Sequence, residues 1–404
     1  MDLVELPQIR AAAELLRGVV RLTPMVASRV LTERTGTPVS LKCENLQRTG
    51  SFKIRGAYTR IHGLTSAERA RGVVAASAGN HAQGVALAAG LLGARATVFM
   101  PTGAPLPKLA ATRAYGATVH LHGDDLGQAL DAAVEFAERT GAVFIHPFDH
   151  SDIVAGQGTV GLEILDQLPE VATVLVCTGG GGLISGIAAA VKAVRPEVRV
   201  VAVQAEQAAA WPGSLTAGHP VRLEHMSTMA DGIAVGAPGP LTYAHVSSLV
   251  DEVVTVSEDA LARALLLCLE RAKLVVEPAG AAAVAALLGE QAAVRELAAP
   301  GPVCAVLSGG NVDPLLLTHV VEHGLDSAQR FMTLRVTVPD NPGSLAAVLA
   351  TVGACGANVL DVAHSRVAGT LALGEVQVAL TLETRGPEHC AVVLAALADA
   401  GFSP

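Results

Sequence analysis

The sequence predicts an α/β protein of two wound lobes followed by a small α+β domain, and three observations carry that expectation. A beat of short apolar strand, glycine-bearing turn and alanine-rich helix repeats between Val73 and Leu307, the order that builds parallel sheets covered by helices. Composition agrees: 51% of residues are hydrophobic, only 3% are aromatic and 41 are glycine, so the apolar side chains are small and suit buried parallel strands. After Asp326-Ser327-Ala328 the beat gives way to alternating strands. With 404 residues at roughly 100 to 200 per domain, a domain of two α/β lobes at 1–325 and a smaller one at 331–404 are expected.

Each element has a local reason. Val73 to Ala76 is an apolar strand that leads through Ser77-Ala78-Gly79-Asn80 into a helix from His81 to Leu92, and Arg95 to Met100 and Ala117 to Leu121 read as further strands. Asp124 is placed to cap a helix with Leu126, Leu130, Val134 and Ala137 on one stripe, ended by Gly141. Ala142 to His146, Thr173 to Cys177, Arg199 to Gln204, Glu252 to Val256 and Val303 to Leu307 complete the series. In the second domain, strands at Met332 to Val338 and Asn358 to His364, a strand or hairpin at Thr370 to Thr384, and helices at Ser344 to Val352 and Pro387 to Ala400 give a βαββα order. A core that small calls for a partner surface, so a homo-oligomer, dimer or tetramer, is expected.

Charge removes several function classes. Lys plus Arg is 28 against 37 for Asp plus Glu, a net charge of -9, the wrong sign for steering onto nucleic acid or anionic lipid. The uncharged stretch Val171 to Val191 is long enough to span a bilayer, but Gly179 to Gly182 in its middle favour strand, loop and helix. The opening Met1-Asp2-Leu3-Val4-Glu5 has no basic region before an apolar run, so a cytoplasmic protein is expected. Six single cysteines without a C-x-x-C pair read as reduced core residues.

Four segments carry candidate chemistry. Lys53, one of five lysines, is wedged between Phe52 and Ile54; an apolar pocket lowers a lysine pKa, as Schiff-base formation near neutral pH requires. The alternative is an exposed lysine at a helix start. The loop Gly179-Gly180-Gly181-Gly182 opens a helix near Leu183, so its N–H groups can approach a phosphate ester at a helix N-terminus. The alternative is close packing. Ser77-Ala78-Gly79-Asn80-His81 offers donors for a substrate carboxylate and the Asn80 amide for a ring oxygen, with His81 either an acid–base group or a packed helix-start residue. Ser308-Gly309-Gly310-Asn311 sets a neutral hydroxyl at a strand's C-terminal end, where open α/β sheets bind ligands, the alternative being a structural turn.

These segments, with Glu44 to Ala57, Ser77 to Gly84 and Val276-Glu277-Pro278-Ala279-Gly280-Ala281, resemble the threonine dehydratase branch of the fold type II, tryptophan synthase β-like, pyridoxal phosphate enzymes over residues 20 to 320. The resemblance implies that pyridoxal 5'-phosphate is held by Phe52, Lys53, Asn80, Gly179 to Leu183, Glu277 and Ser308. Lys53 would carry the Schiff base and act as base, Asn80 would meet the 3-hydroxyl, the glycines the phosphate and Ser308 the pyridine nitrogen. Ser51, Ser77, Ala78, Gly79, Asn80 and His81 would bind an amino-acid substrate. A serine at the ring nitrogen makes a mild electron sink, suited to β-elimination. The implied activity is conversion of L-threonine to 2-oxobutanoate and ammonia, with L-serine as secondary substrate. A serine-selective dehydratase, or an inert amino-acid sensor on the same fold, are the alternatives. Racemases of the family carry a serine where this chain has Ala78, so little racemisation is implied. Their divalent-cation pair matches Glu206 but finds Pro212 at its second position, so no metal is expected there.

Residues Val338-Pro339-Asp340-Asn341-Pro342-Gly343-Ser344-Leu345 and Gly356 to Asp361 resemble an ACT domain, an amino-acid-sensing module with a ferredoxin-like fold. That resemblance implies an effector site at Asp340, Asn341, Gly343 and Asn358 for a branched-chain amino acid, and a last strand that should run on past Phe402.

Overall fold

The computed structural model describes residues 2–299, 301–327, 329–366 and 371–403, and by its contacts the chain divides into two compact units, Met1–Leu317 and Thr318–Pro404. The first unit contains strands Met25–Ala27 (β1), Val39–Cys43 (β2), Val73–Ala76 (β3), Ala96–Met100 (β4), Thr118–Leu121 (β5), Val143–Phe144 (β6), Thr173–Cys177 (β7), Arg199–Ala205 (β8), Glu252–Val256 (β9) and Val303–Leu307 (β10). They form two sheets, ordered β5-β4-β3-β6 and β1-β2-β10-β7-β8-β9. All pairings are parallel except β1 with β2. The two expected lobes are therefore present. Strands β3, β7 and β10 are buried along their whole length, as sheets covered on both faces require.

Strands β1 and β2 were not expected. β2 escapes an apolar pattern because Ser40 and Lys42 interrupt it. The Lys42 side chain is nevertheless fully buried, because its ammonium donates to Glu163 (2.6 Å), Gln167 (2.9 Å) and the Thr23 carbonyl (3.0 Å). The helix Leu126–Thr140 forms and ends at left-handed Gly141 as expected, but its cap is Asp125, which accepts from the Gln128 N–H (2.9 Å), rather than Asp124. Its expected core stripe is also rotated: Leu126, Leu130 and Val134 are 51, 40 and 40% exposed, while Ala129 and Ala133 are fully buried. The helix packs on β3 and β4 through Ala129 and Ala133, with Phe136 and Ala137 beside them. Spacing reveals a stripe, but alanines on the neighbouring stripe allow closer approach to the sheet.

Glycines set how closely the helices Lys53–His62, Ser151–Gln167 and Gly182–Val194 cross. A Cβ on Gly156 would sit 2.6 Å from the Arg55 carbonyl oxygen and 2.6 Å from Gly56 Cα, and one on Gly161 would sit 2.9 Å from Ala190 Cβ. A Cβ on Gly186 would strike the Gly158 N–H and the Val154 carbonyl. Backbone thus meets backbone at two successive crossings, linking the helix that begins at Lys53 to the helix that begins at the tetraglycine loop.

The helix Pro314–Ser327 begins in the first unit and ends in the second; it covers Asp326 and Ser327, after which the strand pattern changes, and Ala328 lies outside the described residues. Strands Phe331–Pro339 (β11), Asn358–Ser365 (β12) and Glu375–Glu383 (β13) form an antiparallel sheet ordered β11-β13-β12. Thr370, the expected start of the last strand, also lies outside the described residues. Inward side chains Leu334, Val336, Val338, Val376, Val378 and Leu380 pack with Val348 and Val352 of the helix Ser344–Ala354, and with Val393 and Leu397 of the helix Pro387–Asp399. Ser403 makes a single antiparallel bridge to Thr337, so the chain does return to the sheet at its β11 edge.

Candidate active site

Four strand-end or helix-start segments meet in the first unit. The lysine segment and the β10 end are stitched together: the Phe52 N–H donates to the Ser308 carbonyl (3.2 Å), the Gly310 N–H to the Gly50 carbonyl (2.9 Å), and Ser51 bridges Gly309. The Glu277 N–H donates to the Gly309 carbonyl (3.1 Å). Asn80 lies between them, its amide donating to Glu277 (2.6 Å) and its oxygen accepting from Asn311 (2.8 Å). Close approach excludes side chains here, since a Cβ on Gly309 would sit 3.0 Å from Asn80 Nδ2.

Lys53 begins its helix and is half-buried. Its ammonium donates to the Pro147 carbonyl (3.0 Å). Desolvation of the ammonium brings its pKa down to about 8, against smaller opposing influences from Cys177 and Glu277. Two residues on, Arg55 is fully buried. It forks to Glu44 through Nε and Nη2 (both 2.8 Å) and reaches Glu163 through Nη1 (2.7 Å) and Nη2 (2.9 Å). Burial opposes ionisation of both partners, yet Glu44 is held below the usual carboxylate range by Arg55, and Arg55 is raised by Glu44 and Glu163. With Lys42, this is a largely buried network of two cations and two carboxylates beside the start of the Lys53 helix.

The tetraglycine loop is fixed by its carbonyls. The Trp211 indole N–H donates to the Gly179 oxygen (2.7 Å) and the Thr242 hydroxyl to the Gly180 oxygen (2.7 Å). In a trans peptide the N–H points opposite to its C=O, so the N–H groups of Gly180 and Gly181 are turned away from Trp211 and Thr242. Gly181 has φ +96°, where a side chain is strained, and the helix starting at Gly182 leaves its first N–H groups without intrahelical acceptors. The loop therefore has the donor chemistry of an anion cradle. Packing needs the glycines as well: a Cβ on Gly181 would lie 2.5 Å from the Trp211 ring, and one on Gly182 2.9 Å from Phe148 Cβ. The close-packing reading of the loop is thus met, and its free donors leave it open to an anion as well.

Among the substrate candidates, Ser77, Ala78, Gly79 and Asn80 are half-buried, and a Cβ on Gly79 would meet nothing within 4 Å. Ser51 is fully buried and its hydroxyl has no hydrogen-bond partner within the protein, which suits a polar ligand atom. His81 is different. Its Nε2 is tied to the Ile145 carbonyl (2.8 Å), and burial, aided by Lys53, brings its pKa down to about 3. The ring is a neutral packing group rather than an acid or base, so a substrate role at this position rests on the backbone N–H. Glu277 is raised to about 7 by burial and by Asp231, against the Asn80 hydrogen bond, Lys108 and Lys53. Ser308 is buried, and its Oγ accepts from the thiol of Cys177 (3.0 Å). The orphaned Ser51 hydroxyl, the donor loop, the desolvated amine and the buried serine together fit pyridoxal phosphate.

Several contributors had no sequence signal: Pro147, Phe148, Trp211, Thr242, and Asp149, which accepts from the Thr242 N–H (2.9 Å). Each acts through a partner distant in the chain. All six cysteines are free, and all but Cys355 are buried.

Fold and site define a pyridoxal-phosphate-dependent enzyme. The family model "Pyridoxal-phosphate dependent enzyme" matches residues 16–309. A protein named L-threonine ammonia-lyase from Thermotoga maritima is 46% identical over 401 residues, 99% of this chain and 98% of the relative. The solved structure of threonine deaminase isoform 2 from Solanum lycopersicum is 37% identical, with a TM-score of 0.75 over 79% of this chain and 86% of that one. Maize serine racemase is 36% identical, with a TM-score of 0.76 over 80% of this chain and 99% of that one. The chain belongs to the pyridoxal-phosphate-dependent enzyme family, in its threonine dehydratase branch.

In the second unit, Asp340, Asn341 and Gly343 line a cavity of about 450 Å³ together with His364 and Arg366, which the sequence did not single out. Arg366 donates to Asp340 through Nε (2.8 Å) and Nη2 (3.2 Å), and this holds the Asp340 carboxyl below its usual range. Asn358 does not line the cavity; at the start of β12 its amide reaches Glu383 (3.4 Å). The four expected effector residues are thus not one set.

Proposed function

We propose that the chain is a cytoplasmic, oligomeric L-threonine ammonia-lyase that also accepts L-serine more slowly. The observation that carries this reading is the desolvated Lys53 amine on a segment hydrogen-bonded to that of the neutral Ser308, in a chain 46% identical over nearly its whole length to a protein of that name. When bound, pyridoxal 5'-phosphate supplies a carbonyl that condenses with amines and a ring that draws electrons from the amino-acid Cα. Phe52, Lys53, Asn80, Gly179 to Leu183, Glu277 and Ser308 would hold it. Lys53 Nζ takes the Cα proton; its pKa of about 8 places enough neutral amine at physiological pH for a general base. Backbone donors of Ser77 to His81 orient the substrate carboxylate, and the Ser51 hydroxyl supplies one further polar partner. The β-hydroxyl leaves as water, a proton being returned to it to match the one that Lys53 takes from Cα, and the released enamine tautomerises and is hydrolysed to 2-oxobutanoate and ammonia. Ala78 brings no transferable proton, so elimination outruns racemisation.

The 331–404 domain is the regulatory part of this reading, with isoleucine or valine as effector at Asp340, Asn341 and Gly343. Arg366 and Asp340 are of the right charges for the carboxylate and ammonium of a free amino acid. Measuring 2-oxo acid formation from threonine and serine in the full chain, with and without isoleucine, tests both parts. Faster turnover of serine than of threonine would replace the first, and a threonine saturation curve unmoved by isoleucine or valine would remove the second.

A further inference from the structure

Ser308 has an unusual neighbour for a hydroxyl that faces a ring nitrogen. Strands β7 and β10 are parallel partners, so Cys177, the last residue of β7, and Ser308, just past the end of β10, stand side by side with both side chains buried. The thiol donates to Ser308 Oγ across 3.0 Å. A serine hydroxyl has one proton and two acceptor lone pairs, and it rotates to suit its surroundings. Sulfur is a weak acceptor, so a hydroxyl proton aimed at Sγ would forgo a better partner. With the S–H proton filling one lone pair of Oγ, the hydroxyl proton is free to point elsewhere.

We propose that Cys177 is a positioning residue whose thiol, by donating to Ser308 Oγ, directs the serine's own proton towards the ring nitrogen of the cofactor. The proposal rests on the assignment of Ser308 to that nitrogen. Burial raises the Cys177 thiol to about 11, so the donor proton stays on sulfur throughout the neutral range. Lys53 and Glu277 both influence that ionisation, which places the thiol among the charged groups of the site rather than in remote core. A nitrogen that accepts from a neutral hydroxyl stays unprotonated, and the thiol thereby helps to keep the electron sink mild.

The test compares the holoenzyme with its C177S, C177A and S308A variants by infrared spectroscopy of the S–H stretch, by the pH midpoint of the bound cofactor's visible band, and by kcat, KM and Tm. The C177S difference spectrum isolates the Cys177 S–H band, which should lie at a hydrogen-bonded frequency and rise in S308A. C177S, whose hydroxyl can also donate, should keep the midpoint and kcat of the native chain. C177A should shift the midpoint and lower kcat about fivefold at unchanged KM, the effect of one hydrogen bond worth ~1 kcal/mol. A purely structural thiol would instead change Tm in both variants and leave the midpoint alone. An S–H band indifferent to S308A, a C177A variant with native midpoint and kcat, or a C177S variant that falls with C177A overturns the role of Cys177. If S308A itself leaves the midpoint unmoved, the assignment of Ser308 fails and this inference with it; if S308A moves it and C177A does not, only the thiol's role is lost.

Discussion

The two sides of the candidate site are built from opposite materials. Behind Lys53 lie four charged side chains, the fully buried Lys42, Glu44 and Arg55 and the part-buried Glu163, joined at 2.6 to 2.9 Å. Behind Ser308 lies a neutral thiol. Charges in balanced pairs fix the start of the lysine helix without lending the amine a counter-ion, so desolvation is free to lower its pKa. On the serine side the side-chain partner is neutral, so a ring nitrogen held there, as proposed, would meet no carboxylate in Ser308's place to keep it protonated. The difference separates two demands on one cofactor site: rigidity where a proton is moved, neutrality where electrons are drawn.

The largest effect should come from Lys53→Ala, which removes the amine proposed both to bind the cofactor and to move the proton. Formation of 2-oxobutanoate should fall by at least ~10³-fold, and added pyridoxal phosphate should give no stable visible band of a lysine adduct. Next is Arg55→Met. It strands the Glu44 carboxylate in the interior, so urea denaturation should show about 3 to 5 kcal/mol less stability; a loss below 1 kcal/mol would mean that the network is not what fixes the lysine side. Ser308→Ala is expected to cost turnover about tenfold, equivalent to ~1.4 kcal/mol, with little change in stability, because the side-chain partner of Ser308 is a neutral thiol rather than a charge. The smallest effect is on pH. Only the neutral amine attacks a carbonyl, so with Lys53 lowered from 10.5 to about 8, capture of pyridoxal phosphate by cofactor-free protein should accelerate about fivefold from pH 7 to 8 and level off above. A rate still climbing steeply at pH 10 would show that the lysine side does not desolvate its amine.

Much of this contrast was not legible in the sequence. Lys53, Asn80, the tetraglycine loop and Ser308 could be read because each sits at a strand end or helix start, where local chemistry announces itself. Most of their partners could not, because the contacts join residues 94 apart for Lys53 and Pro147 and 131 for Cys177 and Ser308; Glu277, 197 residues from Asn80, was named only through the family resemblance. Lys42 even concealed its own strand, since a cation in an apolar run argues against burial until its carboxylate is known. The helix Leu126–Thr140 shows the complementary limit. Periodicity located an apolar stripe, but tertiary packing preferred the alanines, leaving Leu126 and Leu130 exposed. In the second unit, the turn signals at Asp340 to Gly343 marked the cavity, while Arg366 and His364 came to it through sheet pairing between β12 and β13.

The glycine crossings also have a mechanical consequence. Where Gly56 meets Gly156 and Gly158 meets Gly186, there are no side chains to change rotamer and take up slack. A push on the helix that starts at the tetraglycine loop must therefore travel through backbone to the helix that starts at Lys53, as through a jointed linkage without play. An anion seated at one end would set the height of the amine at the other, and a single added methyl at either joint would lengthen the linkage and misalign both.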